Sequence, residues 1–390
     1  MEVAVKKLFS ILIAAGVLFP LIYETASAIP AFARKYDMSC MTCHSPAPKL
    51  KPFGEEFMNN GYQQPGAEPP RYFKETGDDK LMLVRELPLA VRIDGFLAME
   101  QNGGTQTDLQ APFIAKLLSG GPITRDVSYY FYFLMSEHGE IVGLEDAFIT
   151  FGDIFKSGIG VTIGQFQVSD PLFKRELRLT REDYEIYTIP VGNSSASLTY
   201  DRGLMIGYSL PTNTDIIFEI LNGNGIGTAG EGGFLDNDNN KNFLLRISQD
   251  AGENFRFGLF GYAGKERQND STNTTWIYGP DLTITLSDFQ LNTQYVHRED
   301  DNPFFTRPAT KVKMDGAFAE LIYSPDGDKS EWYAVGLYNW AESKDIGLKY
   351  QSATLSLHYM LARNFRLAGE YTYDIEMKTN RLSAGFIAAF

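Results

Sequence analysis

From about residue 87 to the C-terminus the chain alternates apolar and polar positions with a period of two. In LPLAVRIDGFLAME, Leu89, Val91, Ile93, Leu97 and Met99 share one face, and Ala90, Arg92, Asp94 and Glu100 share the other. Successive side chains of a strand point to opposite faces, so this period predicts strands with one apolar face. The pattern recurs in VSYYFYFLM, FEILNG, FLLRIS, FRFGLFGY, FQLNTQYVH, AFAELIY, WYAVGLYNW, SLHYML, LAGEYTY and LSAGFIAAF. No amphipathic helix long enough to pack against them lies between. A soluble sandwich would bury such faces in a core. The many strands, the aromatic content of 13% and the 36 glycines favour a barrel turned inside out, apolar toward lipid and polar toward its lumen.

The connections sharpen this reading. Membrane barrels alternate tight periplasmic turns with longer outside loops. Short connections fall at PITRD, GDIFKSG, PTNT, QDAGEN, LSD, SPDGDKS and ARN. Longer ones are expected at about 101–110, 138–143, 169–193, 223–240, 264–273, 298–310, 340–346 and 374–379. The strands between these breaks number about sixteen, an even number as in bacterial single-chain barrels. The expected fold is all-β: an antiparallel transmembrane β-barrel of about 16 strands over 87–390, behind a short N-terminal segment.

Residues 1–28 hold Lys6 and Lys7, an apolar run from Leu8 to Tyr23 and a closing Ala26-Ser27-Ala28, the three parts of a secretory signal. The run is interrupted by Pro20 and is shorter than the roughly 20 apolar residues a spanning helix needs. The net charge of −14 excludes nucleic acid as a partner. Residues 64–86, rich in Pro, Gly and charge without a period, read as a linker.

Residues 29–63 carry the only two cysteines, in SCMTCH: Cys40, Cys43 and the adjacent His44. A disulfide or a redox-active dithiol is compatible with two cysteines, but no βαβ pattern follows. A structural zinc site needs four ligands, and no second Cys or His pair lies nearby. The C-x-x-C-H spacing is that of covalent haem c, with two thioether links and the histidine as the iron's proximal ligand. About 35 residues are too few to bury a large apolar cofactor alone.

With IPAFARKYDMSCMTCH, then PKLKPFGEEFMNNGY, then a barrel ending on Phe390 below Phe386 and Leu382, the whole mature chain resembles the fused outer-membrane monohaem cytochrome c-porins, the type that includes iron-oxidising outer-membrane cytochromes. The stretch LEDAFITFGDIFKSGIGVTIGQFQVSDPLFKREL also resembles the sixteen-stranded phosphate-selective porins. The resemblance implies one covalent haem c on Cys40, Cys43 and His44, in the lumen or at its periplasmic mouth in the outer membrane. It implies electron transfer, with Fe(II) oxidation as one form of it, between an extracellular donor or acceptor such as iron and a periplasmic cytochrome or copper protein. A porin for small anions with a redox-sensitive haem plug is the alternative.

For the sixth iron position Met58 is the first candidate, against a packing role beside Phe57. Met82, Met99 and a lumenal His138, His297 or His358 follow. The segment PLFKRELRLTREDYEIY, with Lys174, Arg175, Arg178 and Arg181, reads as a solvated outside loop at least as readily as a lumenal constriction. Asp236 and Asp238 in DNDNN stand at cation-ligand spacing but without the glycine and distal glutamate of an EF-hand loop, and are expected to face solvent, while GNGIG at 223–227 reads as a hairpin turn.

Overall fold

The computed structural model describes residues 31–64, 73–137, 139–236, 238–268 and 270–390. The expected signal segment 1–28 and His138 lie outside the described residues. Between Leu89 and Ala389 sixteen antiparallel strands, each paired to its neighbours in sequence, close into a barrel. The seam joins the last strand, Thr379–Ala389, to the first, Leu89–Gln101, from Asn380 opposite Gln101 to Ala389 opposite Arg92.

The alternation sorts side chains as the period of two requires. In Asn242–Ala251, Phe243, Leu245 and Ile247 are more than 40% exposed on the outer face, while Leu244, Arg246 and Ser248 are buried toward the lumen. In Leu348–Ala362, Leu355, Leu357 and Tyr359 face outward, and Ser352, Thr354, Ser356 and His358 face inward. Outside apolar and inside polar is the pattern of a membrane-spanning barrel, in which closure leaves no unpaired edge.

All seven expected short turns are present, at one end of the barrel together with both ends of the barrel chain. The opposite end departs from expectation. Residues 105–122 are one long strand, and Phe255–Gln268 and Ser271–Leu286 are joined by two residues, so the long loops expected at 101–110 and 264–273 are mostly strand. The loops that are long lie at 168–199, 222–241 and 301–311.

The N-terminal segment holds helix α1 (Ala31–Tyr36), a short 3-10 turn (Cys40–Thr42) and helix α2 (Pro52–Asn59). Within the expected linker, Phe73–Lys74 pairs with Leu83–Val84, and Phe73 and Val84 pack on the cluster around Cys43. That part of 64–86 therefore belongs structurally to the N-terminal segment.

Candidate functional site

Ser39 caps the 3-10 turn by accepting from the Met41 amide, and the amides of Cys43 and His44 both return to the Cys40 carbonyl at 3.2 and 3.0 Å. One short turn thus carries both thiols and the imidazole, with the two thiols close enough to act on each other's charge. Both cysteines are free thiols. Burial pushes both thiols up from their ordinary range, which keeps them protonated and counts against a reactive dithiol.

His44 Nδ1 lies 2.8 Å from the Pro48 carbonyl and 3.2 Å from that of Lys49. A carbonyl only accepts, so Nδ1 carries the proton and Nε2, which makes no hydrogen bond, is left as the electron-pair donor. Burial lowers the His44 pKa, outweighing the two carbonyls. The imidazole is accordingly neutral, the form that ligates a metal. The donor set fits haem c: two unpaired thiols, a neutral histidine and a fixed tautomer of the kind that orients metal-bound imidazoles. Among the described residues no group of three or more His, Cys, Asp or Glu side chains is placed to hold a bare metal ion.

Around Cys43 is an aromatic cluster of Tyr36, Phe57, Tyr62 and Phe73, with Phe32 stacked on Tyr62 at 5.0 Å and Tyr62 on the barrel residue Tyr130 at 5.9 Å. Gly54 lies so close to the Cys43 carbonyl that a Cβ there would collide with it. Met58 sits on this cluster with Cys43, whereas His44 is held by its own loop. Cys40, Cys43 and His44 thus follow one another on a single short turn, and Met58 packs against the cluster that contains Cys43 while also lining the open vestibule. His358 is lumenal as expected, stacked on Tyr333 at 4.5 Å. His297 is not lumenal: it is on the outer face beside Tyr278, between Asp315 and Glu299. The alternation of its strand decides this, since Val296 and Arg298 are the buried positions. Met82 is exposed, and Met99 lies partly buried on the first strand.

The segment sits in the mouth of the barrel at the short-turn end. Arg34 donates to the Leu89 carbonyl at 2.9 Å, Gln63 to the Arg125 carbonyl at 2.9 Å, and Lys51 pairs with Asp328. Deeper in, Lys49 reaches Glu320 at 2.7 Å, and Arg366 donates to the Ala47 carbonyl. Beside the segment a vestibule of about 1640 Å³ opens to that same end.

Residues 168–199, between the fifth and sixth barrel strands, fold into the lumen. Of the two readings of PLFKRELRLTREDYEIY, the fold into the lumen is the one observed, and the solvated outside loop is not. The Glu370 carboxylate receives the Arg181 and Glu182 amides at 2.7 and 3.1 Å, Lys116 pairs with Glu176 at 2.7 Å, and Arg298 donates to the Ala196 carbonyl at 2.9 Å. Tyr184 stacks on Phe318 at 4.3 Å and donates to Glu320 at 2.9 Å. Burial raises Asp183, but Arg178 and Arg175 outweigh it and hold the carboxyl low. Lys174, Arg175 and Arg178 are paired with the loop's own Asp170 and Asp183, whereas Arg181 makes no ion pair among the described residues and lies over the Phe113 ring at 4.3 Å. Asp236 and Asp238 serve turns, accepting the Asp238 and Asn240 amides, and Gly223 and Gly225 adopt positive φ in turns.

Sequence reasoning missed Lys49, Glu320, Tyr184 and Arg366. Their alternate positions on strands Val312–Tyr323 and Phe365–Asp374 are a signal that could have marked Glu320 and Arg366 as lumenal, but nothing in the sequence pairs a lumenal residue with the N-terminal segment.

No protein-family profile matches the chain, and no curated protein matches it. Among solved structures it is similar to an anion-selective porin from Comamonas acidovorans, at 10% identity over 78% of this chain and 99% of that one, with a TM-score of 0.58. It is also similar to the outer membrane channel DcaP of Acinetobacter baumannii, at 14% identity, 78% and 97% coverage and a TM-score of 0.57. OmpF of Salmonella typhi gives 11% identity, the same coverages and a TM-score of 0.58. At these identities the likeness establishes a porin-type barrel.

Proposed function

We propose that the protein is an outer-membrane barrel whose periplasmic mouth carries one covalent haem c, and that it passes electrons between an extracellular donor or acceptor, such as iron, and a periplasmic cytochrome or copper protein. The observation that carries this reading is the position of Cys40, Cys43 and His44, seated in the mouth of a closed barrel with His44 Nε2 left free by the Pro48 carbonyl. The cysteines supply the attachment points and His44 the proximal ligand, and the segment's own Tyr36, Phe57 and Tyr62 are extended into apolar cover by Phe73, Val84 and the barrel residue Tyr130. A bound haem c supplies reversible one-electron exchange at iron. The loop 168–199 fills part of the lumen, bound to its wall through Glu370, Lys116 and Arg298.

A second reading, a small-anion porin with the N-terminal segment as its plug, draws support from the porin-type fold and from the open vestibule. One experiment separates the two. Protein in sealed liposomes is given an impermeant reductant on one side and an impermeant acceptor on the other. The conduit reading expects one covalent haem per chain, electron crossing, and loss of crossing in His44→Ala without a large pore. Free passage of small anions with no electron crossing replaces it by the channel reading.

A further inference from the structure

Arg366 is a buried cation without a counter-ion. It is 8% exposed, its Nη1 donates to the Ala47 carbonyl three residues beyond His44, and its Nε makes no hydrogen bond. Among the described residues no carboxylate lies within salt-bridge distance of it. Asp94 is in the neighbourhood, but Arg92 already holds both of its oxygens, at 2.9 and 2.7 Å. Tyr333 offers only a neutral hydroxyl, which sits against the guanidinium and lies 3.4 Å from the same Ala47 carbonyl, and the remaining neighbours, Arg92 and His358, bring no negative charge. The other buried lumenal arginines differ: Arg246 is paired with Asp281 at 2.7 Å and Arg298 with Asp300 at 2.6 Å.

A buried guanidinium left unpaired is strongly destabilising, so such a group is retained where an anion completes it. The anion must reach the loop between His44 and Pro48, because that is the part of the N-terminal segment Arg366 touches. Resting on the haem reading above, we propose that Arg366 is the anchor of a haem propionate. Haem c brings two carboxylates on the ring that Cys40, Cys43 and His44 fix, and a guanidinium is suited to a carboxylate through parallel N–H donors. With Nη1 on Ala47, the Nε edge is left to bind the propionate. Arg366 would then couple the mouth wall to the cofactor, and its charge would favour the reduced iron.

The test uses full-length Arg366→Gln in detergent, assayed for covalent haem, midpoint potential and resonance Raman scattering from the propionate groups. The thioether links do not depend on Arg366, so one haem per chain is expected to remain. The oxidised-to-reduced ratio at a fixed potential is expected to rise at least tenfold, about 59 mV downward for one electron, while Arg125→Gln at the barrel rim leaves it within a factor of three. Should Arg366→Gln fail to fold, Arg366→Lys keeps the charge but not the paired donors. In that variant the propionate band is expected to shift. Haem retained with an unchanged potential in Arg366→Gln, or an unchanged propionate band in Arg366→Lys, overturns the anchor alone. A wild-type protein without covalent haem overturns the haem reading and the anchor with it.

Discussion

Replacing Lys49 by Met tests whether the N-terminal segment is locked into the barrel by one charge pair. Lys49 Nζ lies 2.7 Å from Glu320, and their side chains are 11% and 0% exposed. It also donates to the Tyr184 hydroxyl at 3.0 Å, which ties the segment to the lumenal loop. Methionine keeps most of the aliphatic stem and removes the charge. Glu320 then stays buried with two neutral donors, Tyr184 at 2.9 Å and Asn292 at 2.8 Å. Removing one partner of a buried pair costs about 3–5 kcal/mol, and the two remaining donors put this site near the lower figure. About 3 kcal/mol is roughly a hundredfold in the ratio of docked to undocked segment. The assay is native-state proteolysis within 36–62, which tracks the open population when opening is fast relative to cleavage. Cleavage is expected to accelerate by about that factor, and planar-bilayer recordings are expected to show new open levels. Glu320→Gln added to Lys49→Met removes the orphaned charge and is expected to recover most of the loss. Unchanged cleavage in Lys49→Met, or a double variant worse than both singles together, refutes the lock.

Three further outcomes are expected. The protein fractionates with the outer membrane and migrates differently on a gel before and after boiling, because a closed barrel with paired backbone resists detergent; recovery as a soluble periplasmic protein contradicts this. Burial, with Glu182 and Asp183 adding to it, pushes Glu185 up to about 7 from its ordinary 4.5. The stabilisation of a raised acid is present below its ordinary value and lost as pH rises through the raised one, so loop 168–199 is expected to become several-fold more protease-sensitive between about pH 4.5 and 7. Glu185→Gln flattens that dependence, and a wild-type loop indifferent to pH counts against it. For Met58, whose observed place is in the packing around Cys43, Met58→Ala is expected to cost about 2–5 kcal/mol of stability at most, as for a partly buried methionine, and to leave the haem spectrum unchanged; loss of a methionine signature would return it to the iron.

The period of two carried the barrel: the same alternation that set Phe243 against Leu244 placed the lipid faces of strands such as Asn242–Ala251 and Leu348–Ala362, and the tight turns at PTNT or LSD needed only local chemistry. The C-x-x-C-H turn was equally legible, since its geometry is set within five residues. What was not legible is non-local. Whether residues 168–199 lie outside or fold inward depends on Glu370, Lys116, Arg298 and Glu266, which accepts the Ser195 amide at 2.8 Å, waiting on the wall, and those positions look like any lumenal polar residue in sequence. The loops expected at 101–110 and 264–273 failed for a related reason. Polar strand ends beyond the lipid lose the apolar half of the alternation and read as loop.

The charges of the vestibule bear on the two functional readings. Among the described residues its cations are mostly engaged: Lys51 with Asp328, Arg256 with Asp250, Lys174 with Asp170, Arg246 with Asp281 and Lys49 with Glu320. Glu56, Asp126, Asp153, Glu253 and Asp288 line the same vestibule and make no ion pair there, leaving Arg125 as the unpaired cation. A cleft with an excess of one sign raises the local concentration of the opposite sign. Small anions approaching from this end therefore meet a repulsive mouth, whereas a basic electron carrier meets a steering field beside the segment that holds His44. Any residual ion leak measured under a salt gradient is expected to prefer cations, and association with a basic periplasmic cytochrome is expected to slow steeply as ionic strength rises. A reversal potential of anion-selective sign would mean that these carboxylates do not set the field at the mouth, and would favour the anion channel over the conduit.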